Sequence, residues 1–118
     1  MIKVLACFKR PEDPIDFMNQ FESNYLPLAK KVPGVTESVV NVVKGDNFGK
    51  DTAYYLIHEL HFPDRVSFKR AMESKENQLA GKKLMSFARG FVTLMVAETS
   101  EEAIKDESVA AKSVFGRR

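Results

Sequence analysis

The chain has 118 residues, a formal net charge of +2, 44% hydrophobic and 10% aromatic side chains, and one cysteine. That length supports one domain with a core that needs no staples, and no apolar run approaches the roughly 20 residues of a membrane helix. Acidic and basic residues are interleaved and close to balance, which leaves no electrostatic footprint for nucleic acid.

Met1 to Phe8 is a short apolar run followed by Lys9-Arg10, so it reads as a strand over Ile2–Phe8 and not as a signal peptide. Cys7 stands alone in that strand, a small buried hydrophobe with no disulfide or metal partner of its own kind. These features together read as cytoplasmic. Asp13 then caps a helix whose first position is Pro14, with Asp16 in the favourable first turn. The spacing predicts a helix to about Val32, closed by Pro33-Gly34, with Met18, Phe21, Tyr25, Leu28 and Val32 on its buried face.

Val35 to Lys44 predicts the second strand, Gly45 to Asp51 a hairpin loop, and Ala53 to Phe62 the third strand. In the third strand Tyr54, Leu56, His58, Leu60 and Phe62 share one face, and Tyr55, Ile57, Glu59 and His61 the other. If Phe62 packs under the following helix, His58 faces the interior and His61 the far side. Pro63-Asp64 opens a short helix holding Val66, Phe68, Ala71 and Met72. Ser74 caps a second segment, in which Ala80, Leu84 and Phe87 form the buried stripe, and Gly90 ends it before a fourth strand over Phe91–Ala97.

The order β-α-β-β-α-β predicts an α+β fold of ferredoxin-like plan, an antiparallel sheet with helices on one face. Val39-Val40, Val42-Val43 and the Phe91–Ala97 run put apolar groups on both faces of that sheet. The expected cover for the second face is another copy of the chain, a homodimer packed through its sheet faces. Residues 1–99 form the domain, and residues 100–118 are a polar extension, a helix or a disordered terminus.

Tyr25 carries the sharpest chemical signal, because Pro27 follows it inside the helix. A proline there donates no hydrogen bond to the Ser23 carbonyl and bends the helix, so polarity gathers beside a tyrosine in an apolar wall. Tyr25 facing His58 would make an acid/base pair on a small hydrophobic ligand. Phe21, Leu28, Leu84 and Phe87 would wall the pocket, and Arg10 at the strand end would hold an anionic substrate group. Glu59 and His61, two ligand types without a third, make a polar pair and not a metal site. No phosphate loop, nucleotide motif or nucleophile with an adjacent base is present.

Met1-Ile-Lys-Val-Leu with Lys9-Arg10-Pro11, Tyr25-Leu-Pro-Leu-Ala29 with Pro33-Gly34, Tyr55-Leu-Ile-His-Glu-Leu60 and Phe87-Ala88 together resemble the EthD family of dimeric α+β barrel proteins. The resemblance covers about residues 1–99. It implies a dimeric α+β barrel whose pocket lies between helices and sheet, and a role near oxygenase chemistry, since the family takes its name from ethyl tert-butyl ether degradation. Related barrels include cofactor-independent monooxygenases, decarboxylases and muconolactone-type isomerases. The function this implies is a cofactor-free oxidoreductase of monooxygenase type acting on a small hydrophobic carbonyl or phenolic compound. The alternatives are a non-catalytic binding or accessory protein and a purely structural dimer whose filled core has no cavity. Many EthD-like sequences have histidine where this chain has Tyr25, which replaces a group titrating near 6.5 by one near 10.

Overall fold

The computed structural model describes residues 1–100, which form four strands and a set of helices in the order β1 (Ile2–Lys9), α1 (Pro14–Gln20), a π turn (Phe21–Tyr25), α2 (Leu26–Lys30), β2 (Glu37–Val42), β3 (Tyr54–Phe62), α3 (Arg65–Met72), α4 (Lys75–Ala88) and β4 (Val92–Glu98). The expectations for the extension beyond residue 100 lie outside the described residues. The strands run antiparallel in the order β2-β3-β1-β4, so the first and third strands are central and the fold is ferredoxin-like α+β.

The caps read from the sequence at Asp13 and Ser74 are in place, and Asp64 caps α3 as well. Asp13 Oδ1 accepts from the Asp16 amide at 3.1 Å, Asp64 Oδ1 from Ser67 at 2.8 Å, and Ser74 Oγ from Asn77 at 3.1 Å. Gly34, at φ +89°, turns the chain out of the first helical run in a conformation that a side chain would strain.

Within that run the bend is a π turn. The Leu26 amide donates to the Phe21 carbonyl, one residue further back than in an α-helix. This answers the problem that Pro27 poses, since its ring would collide with the Ser23 carbonyl in a regular helix. It also changes which residues face inward. Phe17 and Ala29 stand twelve positions apart in the sequence, whereas three α-helical turns take about 11 residues. The extra residue of the π turn closes that gap. Phe17, Phe21, Tyr25 and Ala29 therefore form one buried line, with Val32 beyond them. Met18 and Leu28, expected on this face, are half-buried beside it.

The helices cover one face of the sheet. Ile2, Ala6 and Phe8 of β1 pair with Phe62, His58 and Leu56 of β3, and all six are buried beneath them. The Phe62 ring meets Phe68 of α3 at 5.9 Å, so the condition that turns His58 inward is satisfied. On α4 the buried stripe is Ala80, Leu84 and Ala88, while Phe87 is half-buried to one side. Coverage is deepest over the two central strands, and Val40, Val42, Leu94 and Val96 on the edges are 40–59% exposed.

The opposite face bears no helix among the described residues. It presents Leu5, Cys7, Val39, Ile57 and Met95 together with Lys3, Glu37, Asn41, Glu59 and His61. Between Phe8 and Lys9 the register with β3 slips by one residue, and strict alternation ends there. Tyr55, expected beside Ile57 and Glu59, consequently reaches Phe17 of α1, at 6.0 Å between rings.

Candidate functional site

The candidate residues divide between two regions, a packed aromatic box and an open cleft. The π turn presents Phe21 and Tyr25, four residues apart, to the centre of β3, where His58 points up from the sheet. His58 lies edge-on to both rings, at 5.5 Å from Phe21 and 5.6 Å from Tyr25. Phe8 and Phe17 continue the wall behind Phe21, at 5.7 and 6.0 Å. Phe21, His58 and Tyr25 are 0%, 1% and 6% exposed, so the rings touch and a ligand among them has to part them. Leu84 is buried in the same core, whereas Leu28 sits half-buried at its margin.

The only polar partner of the His58 ring among the described residues is Ser38 on β2, whose Oγ lies 2.8 Å from Nε2. Spacing in the sequence gives no sign of this contact. It follows from the β2–β3 register, which sets Ser38 opposite Leu60 and Val40 opposite His58 on one face of the sheet. Burial pushes His58 down to about 4, with the Lys30 charge acting in the same direction and Glu59 opposing it. Burial also pushes the Tyr25 hydroxyl up to about 12. Both groups are therefore neutral at pH 7, one able to donate and accept through a hydroxyl, the other through an imidazole.

His61 has the opposite surroundings. Its Nε2 lies 2.8 Å from Glu59 Oε1, so the expected polar pair is present. Asn41 Nδ2 donates to Glu59 Oε2 at 2.8 Å, and Lys3 Nζ stands 3.5 Å from Glu59 Oε1. The bond to His61 is the main reason the Glu59 carboxyl is held below its usual range. His61 Nδ1 is enclosed without a hydrogen bond, although a Glu37 carboxylate oxygen lies 3.3 Å away. Among the described residues, no three histidine, cysteine or carboxylate side chains converge as a metal site would require.

The second region is a cleft of about 470 Å³ lined by Arg10, Pro11, Glu12, Asp13, Asp16, Phe17, Phe87 and Phe91. It opens where β1 ends, α1 begins and α4 turns into β4. Phe87 and Arg10 are therefore here and not with Tyr25. The Arg10 guanidinium lies 5.6 Å from the centre of the Tyr55 ring. Phe17 belongs to both regions, since its ring is 5.8 Å from Phe87 and 5.8 Å from Phe91 as well as touching Phe21.

Comparison with known proteins places this geometry among relatives. The EthD domain matches residues 9–89. A protein of Rhodococcus erythropolis, described as an uncharacterized 11.0 kDa protein in the thcB-thcC intergenic region, is 29% identical over 105 residues, covering 88% of this chain and 98% of its own. The crystal structure of an EthD-family protein from Bacillus halodurans C-125 superposes with a TM-score of 0.80 at 32% identity, over 85% of this chain and 99% of that one. At 14% identity, SnoaB, a cofactor-independent oxygenase from Streptomyces nogalater, shares the fold with a TM-score of 0.59 over 89% of this chain and 97% of its own.

Proposed function

Because the chain belongs to the EthD family, whose domain spans residues 9–89, we propose that it binds a small hydrophobic carbonyl or phenolic compound between its helices and sheet and acts on it without a cofactor, as an oxidoreductase of monooxygenase type. The observation that carries this reading is the edge contact of Tyr25 with His58 at 5.6 Å inside an aromatic wall. Fold likeness to a cofactor-independent oxygenase is consistent with it and does not choose a reaction.

In this reading Tyr25 keeps its proton at every ordinary pH and donates it as a hydrogen bond to the substrate oxygen. A donor in a water-poor site is worth more than the same donor in water, so it polarises a carbonyl or orients a phenol. His58, neutral and tethered to Ser38, accepts a hydrogen bond from the substrate or takes its proton in the reaction. Phe21 and Leu84 form the inner wall and Leu28 the margin, while Phe87 and Arg10 border the cleft through which the compound would approach.

A second reading, a non-catalytic binding or accessory protein, draws on the same two groups. An acid/base pair working at neutral pH is tuned near 7. Here the histidine, at about 4, and the tyrosine, at about 12, fall well to either side. The two readings separate on turnover. Wild type, Tyr25→Phe and His58→Ala are incubated in air with a panel of hydrophobic ketones and phenols, and products are followed by mass spectrometry. The catalytic reading expects each variant to lose roughly 100-fold in rate, with the melting temperature of Tyr25→Phe within a few degrees of wild type. A responsive compound turned over equally by all three proteins would sink the mechanism.

We further propose a two-fold dimer through the helix-free sheet face, supported by its Leu5, Val39, Ile57 and Met95 side chains. Sedimentation equilibrium giving the monomer mass at all concentrations would remove it.

A further inference from the structure

The cleft bounded by Arg10 and Phe91 has a rim charge that its place as an approach to the Tyr25–His58 site does not explain. Its floor is apolar. Phe17 is buried, Phe87 and Phe91 are half-buried, and the Phe17 ring lies 5.8 Å from each of the other two. Its volume of about 470 Å³ suits a molecule of one ring with a short side chain. Its rim is charged, and the charges do not cancel. Among the described residues, Glu12, Asp13 and Asp16 stand against one cation, Arg10, a local formal charge of −2.

Arg10 is already engaged, since its guanidinium rests over the Tyr55 ring. The carboxylates are not matched by a cation in the same way. Among the described residues, the ion pairs join Lys3 to Glu59, His61 to Glu37 and Glu59, and Arg65 to Glu98. None involves Glu12, Asp13 or Asp16. Asp13 accepts its own helix's Asp16 amide and Asp16 takes a 3.4 Å bond from Gln20, both local contacts that neutralise no charge.

Phenyl rings offer an apolar surface to a ring-bearing ligand, and the carboxylates of the rim supply the attraction for a cation. From this complementarity we infer that the cleft is a binding site for a small organic cation, an aromatic or alicyclic ring bearing an ammonium group. The ring lies among Phe17, Phe87 and Phe91, and the ammonium reaches the carboxylates of Glu12 and Asp16. The site stands apart from the Tyr25–His58 reading, since it requires neither residue to touch the ligand.

Three compounds of one shape and different charge test it: 3-phenylpropylamine, 3-phenylpropanol and 3-phenylpropionate. Each is titrated into the full-length protein at pH 7 and followed by amide chemical shifts. The amine is expected to move the resonances of residues 10–17 and 87–91 and to bind roughly five- to ten-fold more tightly than the alcohol, with the carboxylate weakest. Raising salt from about 0.01 M to about 1 M should erase most of that advantage. The double variant Glu12→Gln, Asp16→Asn retains the Asp13 cap. It should bring the amine down to the alcohol's affinity while leaving the alcohol unchanged. The inference is overturned if the carboxylate binds as well as the amine, if the amine's advantage survives the double variant, or if no compound shifts these residues. Tyr25→Phe should bind the amine as wild type does, so failure of the proposed function leaves this result intact.

Discussion

The box around His58 and the cleft beside Arg10 are built from the same material, phenylalanine and tyrosine rings around the first helical run, yet they differ in what they leave open. In the box the rings close on one another, and the polar groups they enclose are held neutral by burial. In the cleft the rings pack as closely, with Phe17 at 5.8 Å from Phe87 and from Phe91, but one side of the cluster faces an open volume of about 470 Å³ whose rim carries exposed carboxylates. Phe17 divides the two. The contrast shows that an aromatic cluster signals neither core nor site by composition alone. What separates them is whether the helices converge over the strands, as they do above β1 and β3, or diverge, as they do where β1 and α4 end.

The widest separation between the regions should appear in truncation. Phe21→Ala removes a fully buried ring that touches Phe8, Phe17, Tyr25 and His58, and should cost about 3–5 kcal/mol in urea unfolding. Phe87→Ala removes a half-exposed ring and should cost only about 1 kcal/mol. Equal losses would mean that the cleft wall is core as well.

Acid stability gives the next largest difference. His58 has a folded value of about 4 against 6.5 in the unfolded chain, so the unfolded state binds the extra proton between those limits. Stability from this group is fully present above pH 6.5 and is lost as the pH falls toward 4, by at most about 3 kcal/mol. Glu59 adds a loss of the same sign further into acid, because its carboxyl is held below the ordinary range. In urea titrations across pH 7 to 4, His58→Leu should flatten the first part of the curve, while the Glu12→Gln, Asp16→Asn variant should leave it unaltered. A wild-type stability constant over that range would contradict the burial of His58.

Much of this is legible in the amino-acid sequence. Period-two alternation in β3 put His58 and His61 on opposite faces, because a strand offers only two, and the packing of Phe62 against Phe68 then decided which of them turns inward. The caps at Asp13 and Ser74 were legible for a similar reason, since capping is chemistry between near neighbours. Pro27 announced a disturbance but not its form. The choice of a π turn over a kink decides whether Phe17 or Met18 faces the core, and that choice depends on the packing it permits. Tyr55 was assigned to the wrong face because a register slip at Phe8 and Lys9 is a property of two strands together. Ser38 beside His58 and the cleft between the ends of β1 and α4 were invisible for the same reason. Each joins residues that only the sheet order β2-β3-β1-β4 and the return of α4 bring together.

His58 is a sealed imidazole facing Tyr25, held neutral by burial, and a pH titration of the histidine ring resonances by NMR tests this directly. The His58 signals should keep their neutral shifts down to pH 5 and move with a midpoint of about 4. A midpoint at or above 6.5 would show water reaching the ring, and the box would then be as open as the cleft.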